Sequence, residues 1–151
     1  MRRYTPDDAG ACAAVFHSAV HGGTGRFYDA AQQQAWSPAQ PTAQQWRDRL
    51  EGQTVYVAVD TDGVCGFMSL TDAGYLDFAY VLPRVMGAGV ADLLYAAILN
   101  VAHVSGLNHL TVAASHVARR FFLRHGWQED AEQKILRNGV DLTNFRMSVS
   151  F

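Results

Sequence analysis

The residues best suited to chemistry lie between a strand and a helix. Met86-Gly87-Ala88-Gly89-Val90-Ala91 follows Val81 and Pro83 and runs into an apolar-striped segment. Small residues at 87, 89 and 91 let a ligand approach the backbone. The helix start behind them offers unpaired N–H groups and a partial positive charge. Together these make a phosphate or pyrophosphate cradle; without a ligand the same residues are a glycine-rich strand-to-helix turn. The loop is not a Walker loop, because no Gly-Lys-Ser/Thr triplet exists. It also departs from the dinucleotide fingerprint. Asp92 stands where Gly or Ala is needed, and a meander precedes it rather than a parallel βαβ series.

Other reactive residues are sparse. His17 and His21 are four apart and share a helix face, but no carboxylate stands at a spacing that would complete a zinc site. Cys12 and Cys65 stand alone among apolar neighbours, so neither a disulfide framework nor a CxxC site is expected. Two packed thiols suit a reducing cytosol, and a cytoplasmic protein is expected. The sequence has 151 residues, 12 Lys+Arg and 14 Asp+Glu, a net charge of −2. A general nucleic-acid binder needs a basic surplus, and there is none. No apolar run approaches the ~20 residues that span a bilayer. Met1-Arg2-Arg3-Tyr4 has no apolar stretch behind it, so no signal peptide is expected.

The elements that must position these residues follow from periodicity. One domain over 1–151 is expected from length. Thr5-Pro6-Asp7-Asp8 is a helix start. Cys12, Val15, Phe16, Ala19 and Val20 recur behind it at helical spacing. The stretch 21–41 holds three glycines and two prolines and reads as short helices joined by loops. Thr42 caps a helix carrying Trp46 and Leu50. The period then changes to two, giving strands 54–59, 64–70 and 75–81 in an antiparallel meander. A long helix from Val90 ends at Gly106; a buried strand 110–113 and a helix 117–124 follow. Asn138-Gly139 joins a final hairpin, 134–137 with 140–147. Only the passage from Tyr75 to Ala113 allows parallel pairing. The order β-α-α-β-β-β-α-β-α-β-β predicts an α/β (α+β) fold, a mixed, mostly antiparallel sheet of about seven strands with helices on both faces.

The chain resembles the GNAT superfamily of acyl-CoA-dependent N-acetyltransferases over nearly its whole length. The family loop Gln/Arg-x-x-Gly-x-Gly/Ala is matched at Gly89 and Ala91 and departs at Met86. Arg3-Tyr4-Thr5-Pro6-Asp7-Asp8, Trp36-Ser37-Pro38, Tyr80-Val81-Leu82-Pro83, Ala118 to Trp127 and Gly139 to Met147 resemble a subgroup of small bacterial GNAT proteins.

This resemblance implies acetyl-CoA as co-substrate, with no metal. It implies direct attack by an amine in a ternary complex, and a pantetheine arm entering a splay beside Ala79, Tyr80 and Val81. The pyrophosphate would sit on Gly87, Ala88, Gly89, Val90, Ala91 and Asp92. A basic residue common in the family is replaced by Ala88. The acceptor is an amine of a small molecule or peptide, in a pocket that includes His21, Tyr28 and Trp36. A homodimer is possible in such folds, whose sheets have free edges. The family's acid Tyr corresponds to Phe122, and Ala113 stands where relatives often carry Glu. Asp77 is then the base candidate, Tyr80 a proton relay, and Ser115 or His116 a donor to the departing sulfur. The role of Asp77 assumes that Leu76 and Phe78 share one face of their strand, which turns Asp77 to the other. The rival implied by Phe122 and Ala113 is an acyl-CoA-binding module with little turnover.

Overall fold

The computed structural model describes residues 1–151. Seven strands form one sheet: β1 (Arg2–Arg3), β2 (Thr54–Asp60), β3 (Gly63–Leu70), β4 (Tyr75–Val81), β5 (His109–Ala114), β6 (Gln128–Arg137) and β7 (Val140–Ser150). Their order is β1-β2-β3-β4-β5-β7-β6. The β4–β5 pair is parallel and every other pair is antiparallel. Five helices cover the sheet: α1 (Ala9–Gly23), α2 (Ala30–Trp36), α3 (Ala43–Leu50), α4 (Val90–Val104) and α5 (His116–Arg124).

Each face has its own core. On one, Phe16, Trp46 and Leu50 of α1 and α3 pack on Val57, Phe67 and Phe78. On the other, Leu94, Ile98 and Phe122 of α4 and α5 pack on Met68, Leu76 and Val112. The N-terminal turn is held by Asp8, whose carboxylate accepts from the Thr5 N–H at 2.8 Å and pairs with both Arg2 Nη atoms at 2.7 and 2.8 Å. The final hairpin turns through Asn138 and Gly139 with φ of 50° and 78°, the left-handed pair its tight turn demands.

Three elements differ from the sequence expectation. Helix α2 adds one helix to the order; Asp29 caps it, accepting from the Gln32 N–H at 2.8 Å. Strand β6 starts at Gln128 rather than 134. It is an edge strand without a single buried residue, so its first half carries no apolar alternation. The third difference matters most for function. Ser69 pairs with Phe78, but Leu70 pairs with Leu76, so Asp77 is the extra residue of a β-bulge. The bulge turns Leu76 into the α4/α5 core and Phe78 into the α1/α3 core. The expectation that Leu76 and Phe78 share one face is overturned, because one inserted residue flips the alternation beyond it.

The sheet also opens at its centre. The β4–β5 ladder consists of Tyr75↔Thr111 and Leu76↔Val112 and then stops. Beyond it β4 stays with β3 as far as Gly66↔Val81, while β5 stays with β7 as far as Ala114↔Phe145. Ala79 to Val81 therefore has a ladder on one side only.

Candidate functional site

A groove of about 470 Å³ continues this V-shaped opening. Ala79 to Val81 form one end, Gly87 and Gly89 to Asp92 the other, and Val117, Phe121 and Arg124 of α5 the facing wall. Gly87 and Gly89 have φ of 79° and 85°, a region that side-chain-bearing residues rarely adopt. A Cβ built on either would meet no atom within 4 Å, so both face open space. Helix α4 starts at Val90 with no side-chain cap, which leaves its first amides for a ligand. These features fit a pyrophosphate and a pantetheine arm. Of the expected cofactor residues, Ala88 alone is absent from the groove wall; its N–H bonds to the Val85 carbonyl at 3.1 Å.

The groove also holds a charge cluster that the sequence reading missed. Asp92 accepts from His125 Nε2 at 2.8 Å and from Arg124 Nη2 at 3.1 Å. These partners, His125 foremost, hold the Asp92 carboxyl below its ordinary range. Arg124 thus brings a positive charge, shared with Asp92, to the α4 end of the groove. Its spacing with Val117 and Phe121, i, i+4 and i+7, is the signal that could have found it. His125 completes this cluster.

A second cavity, of about 300 Å³, is walled by Tyr28, Trp36, Trp46, Asp77, Tyr80 and Arg137 among others. A narrower space of about 70 Å³ lies between Trp36 and Ser115. Ala79, Tyr80 and Ala118 belong to the walls of all three, so groove and cavity meet at the end of β4.

Asp77 lines the cavity but is not free. It accepts from Gln53 Nε2 at 2.8 Å and pairs with Arg49 at 3.3 Å. Arg49 in turn lies over the Phe78 ring at 4.9 Å. Tyr80 sits in an aromatic cluster, with Phe16 at 5.0 Å edge-on and Trp36 at 6.4 Å. Burial pushes its phenol well above the ordinary value, and the Arg137 charge offsets part of this. Tyr80 therefore keeps its proton at neutral pH.

Ser115 caps α5, its Oγ accepting from the Ala118 N–H at 3.1 Å. Its own O–H proton is not needed for the cap and remains available to the junction. The His116 ring stacks on Phe27 at 5.1 Å and lines none of the three spaces. Phe122 is fully buried beside Trp127 at 4.7 Å, reaching only the groove floor.

Tyr28 and Trp36 line the cavity as expected; His21 does not. His21 Nε2 lies 2.7 Å from the Ser37 carbonyl, and His17 Nδ1 lies 2.6 Å from Ser37 Oγ. The two imidazoles thus fasten the end of α2 to α1. Tyr28 is a pin as well as a wall: its O–H donates to the Thr143 carbonyl at 2.7 Å and accepts from the His116 N–H at 3.1 Å. Two other wall residues keep buried polar atoms without a partner, Trp46 Nε1 and Asn144 Oδ1. Each such atom costs about 1–3 kcal/mol unless a ligand satisfies it. Neither thiol is a nucleophile. Burial pushes Cys12 up to about 12 and raises Cys65, and neither touches the spaces described.

A family model for the acetyltransferase (GNAT) domain matches residues 24–149. The chain belongs to the GNAT acetyltransferases. An uncharacterized N-acetyltransferase of Escherichia coli (strain K12), YafP, is 32% identical over 97% of this chain and 93% of its own. A GCN5-related N-acetyltransferase from Rhodopseudomonas palustris superposes with a TM-score of 0.92 at 33% identity, covering 99% of this chain and 94% of that one. A phosphinothricin acetyltransferase of the GNAT superfamily from Sinorhizobium meliloti, solved with acetyl-CoA, superposes at 0.76 with 16% identity. It covers 99% of this chain and 86% of its own, and that likeness speaks to the fold. No helix of this GNAT acyltransferase is long and apolar enough to cross a membrane.

Proposed function

We propose that this GNAT protein transfers the acetyl group of acetyl-CoA to a primary amine, by direct attack within a ternary complex. The observation that carries the reading is the junction at the end of β4. A backbone-lined groove and an aromatic cavity share Ala79, Tyr80 and Ala118, so a thioester from one side and an amine from the other meet there. Acetyl-CoA supplies the activated acyl group. Ala79 to Val81 offer backbone groups to its pantetheine arm, and the starting amides of α4, with Arg124, hold its phosphates.

Asp77 takes the proton of the incoming ammonium, directly or through water, leaving a nucleophilic nitrogen. The N–C bond forms as the C–S bond breaks. The Ser115 hydroxyl or Tyr80 gives a proton to the departing sulfur and regains one from the acylated nitrogen. A thiol of ordinary acidity, with a pKa of ~8.5, needs little such help near neutral pH.

The proposal is tested by calorimetry with acetyl-CoA and by CoA thiol release with a panel of amines. Saturable, amine-dependent release supports it. Binding without release for any amine supports instead an acyl-CoA-binding module, the reading favoured by the buried Phe122 ring in place of an acid Tyr.

A further inference from the structure

The cavity beyond the junction has a charge that its own residues leave unanswered. Its charged wall residues are Arg49, Asp77 and Arg137. Arg49 and Asp77 answer each other, as above. Arg137 takes part in none of the ion pairs of the chain. Asp141 and Glu132 stand on the same hairpin, yet neither comes within pairing distance. The guanidinium is nevertheless presented by a tied element. It ends β6, and the next residue, Asn138, donates from Nδ2 to the Ala35 carbonyl at 2.7 Å. Gln32 Nε2 donates to the Asp141 carbonyl at 3.2 Å on the other side of the turn. The hairpin tip is thus fixed against α2, with the solvent-exposed Arg137 at the rim of the cavity.

The rest of the wall is mostly hydrophobic and includes the aromatic rings of Phe16, Tyr28, Trp36 and Trp46. Two of its residues keep a buried polar atom without a protein partner, Trp46 Nε1 and Asn144 Oδ1. A volume of about 300 Å³ equals that of about ten waters at ~30 Å³ each. Such a space takes a small apolar body rather than a folded surface.

We infer that the acceptor is a small primary amine with an aromatic or bulky apolar body that also carries a carboxylate, held by Arg137. This rests on the acetyl-transfer reading above and names its substrate class. The coplanar oxygens of a carboxylate match the planar guanidinium fork. One negative charge also balances the single surplus positive charge of the wall, which a dianionic phosphate exceeds. The amine end then points to the junction at Tyr80 and the carboxylate end to the hairpin.

The test uses the full chain with acetyl-CoA and two matched pairs: L-phenylalanine with its carboxamide, and para-aminomethylbenzoate with its carboxamide. Thiol release gives kcat/KM, and calorimetry on the CoA-loaded protein gives binding. The readout is the carboxylate-over-amide preference of the wild type divided by that of Arg137→Gln. Differences in amine basicity cancel in this ratio. For at least one pair it is expected to be about tenfold or more, the scale of one charge-assisted contact. Lys134→Gln, an exposed charge on the same strand outside the wall, leaves the preference unchanged.

An equal preference in wild type and Arg137→Gln overturns the inference. So does acetyl-CoA binding with no carboxylate amine bound or acetylated in preference to its amide. Turnover of the amides in either case leaves the acetyl-transfer reading standing. That reading fails separately, when acetyl-CoA does not bind or when no amine of the panel, carboxylate, amide or otherwise, releases its thiol.

Discussion

The groove and the cavity meet at the same three residues but are made of different material. The groove is built from backbone: a truncated ladder, two left-handed glycines and an uncapped helix start. The cavity is built from side chains drawn from α1, α2, α3, α5, β4, β5, β6 and β7. A backbone site tolerates changes of side chain, so the proposed cradle does not depend on which side chain stands at Met86. A side-chain site changes its ligand with each substitution. On the proposed reading, the two halves of one reaction are thus held under different constraints. The shared half is fixed by geometry, and the individual half by chemistry.

The largest expected effect lies on the cavity side. Asp77→Asn is expected to lower kcat/KM by about 10²-fold near neutral pH, the lower end for a general base. The loss shrinks as pH rises and free amine becomes abundant. A uniform loss at every pH, with a lower Tm, makes Asp77 a positioning residue for Arg49 and Gln53 instead.

Phe122→Tyr probes the floor that the groove shares with the core. Its hydroxyl enters a packed site beside Trp127, at a cost of about 1–3 kcal/mol. Tm is expected to fall by roughly 2–4 °C for each of these, with no gain in kcat. Faster turnover at unchanged Tm shows instead that the new hydroxyl reaches the sulfur.

Gly89→Glu tests the backbone site. It adds a carboxylate at the cradle and a side chain at φ 85°. Acetyl-CoA affinity is expected to fall at least tenfold, about 1.4 kcal/mol, while amine binding in the cavity persists. Equal affinity by calorimetry removes the cradle from the loop.

The smallest effect serves as a reference outside both regions. Arg2, above all, holds the Asp8 carboxyl below its ordinary value. The folded state then binds the proton less readily than the unfolded chain. Its stabilisation is present above the unfolded pKa of ~3.9 and is lost as pH falls through the lower folded value. Asp8→Asn is expected to destabilise the chain by less than about 1 kcal/mol at pH 7, since Arg2 is half exposed. The difference from wild type vanishes in acid, as urea titrations at both pH values would show.

The sequence carried the backbone site further than the side-chain site. Gly87, Gly89, Gly106 and the Asn138-Gly139 pair announce their own φ angles, and apolar alternation locates β2 to β5. The bulge at Asp77 left no such mark. It depends on how β3 and β4 register, and so the orientations of Leu76 and Phe78 were not legible from period-two patterning. His21 was misread for a related reason: its partner, the Ser37 carbonyl, is a backbone atom sixteen residues away. The early half of β6 was hidden because an exposed edge strand buries nothing. Arg137 went unnoticed because a lone arginine before a turn is ordinary until the hairpin is seen to lean over α2.

The short β4–β5 ladder has a thermodynamic consequence. Two residue pairs join a packet of β1 to β4 to a packet of β5 to β7. Each packet is otherwise laddered within itself, so the seam is where cooperativity between the two is weakest. A ligand lying in the opening lends its amides to the unpaired edge and touches both packets at once. It therefore acts as a strand supplied from outside, adding a backbone ladder across a seam that is otherwise bridged by the α4/α5 core. At a hundred times Kd, binding to the folded state alone adds about 2.7 kcal/mol. The amides flanking the seam, rather than those of the outer strands, then gain the most protection from hydrogen exchange.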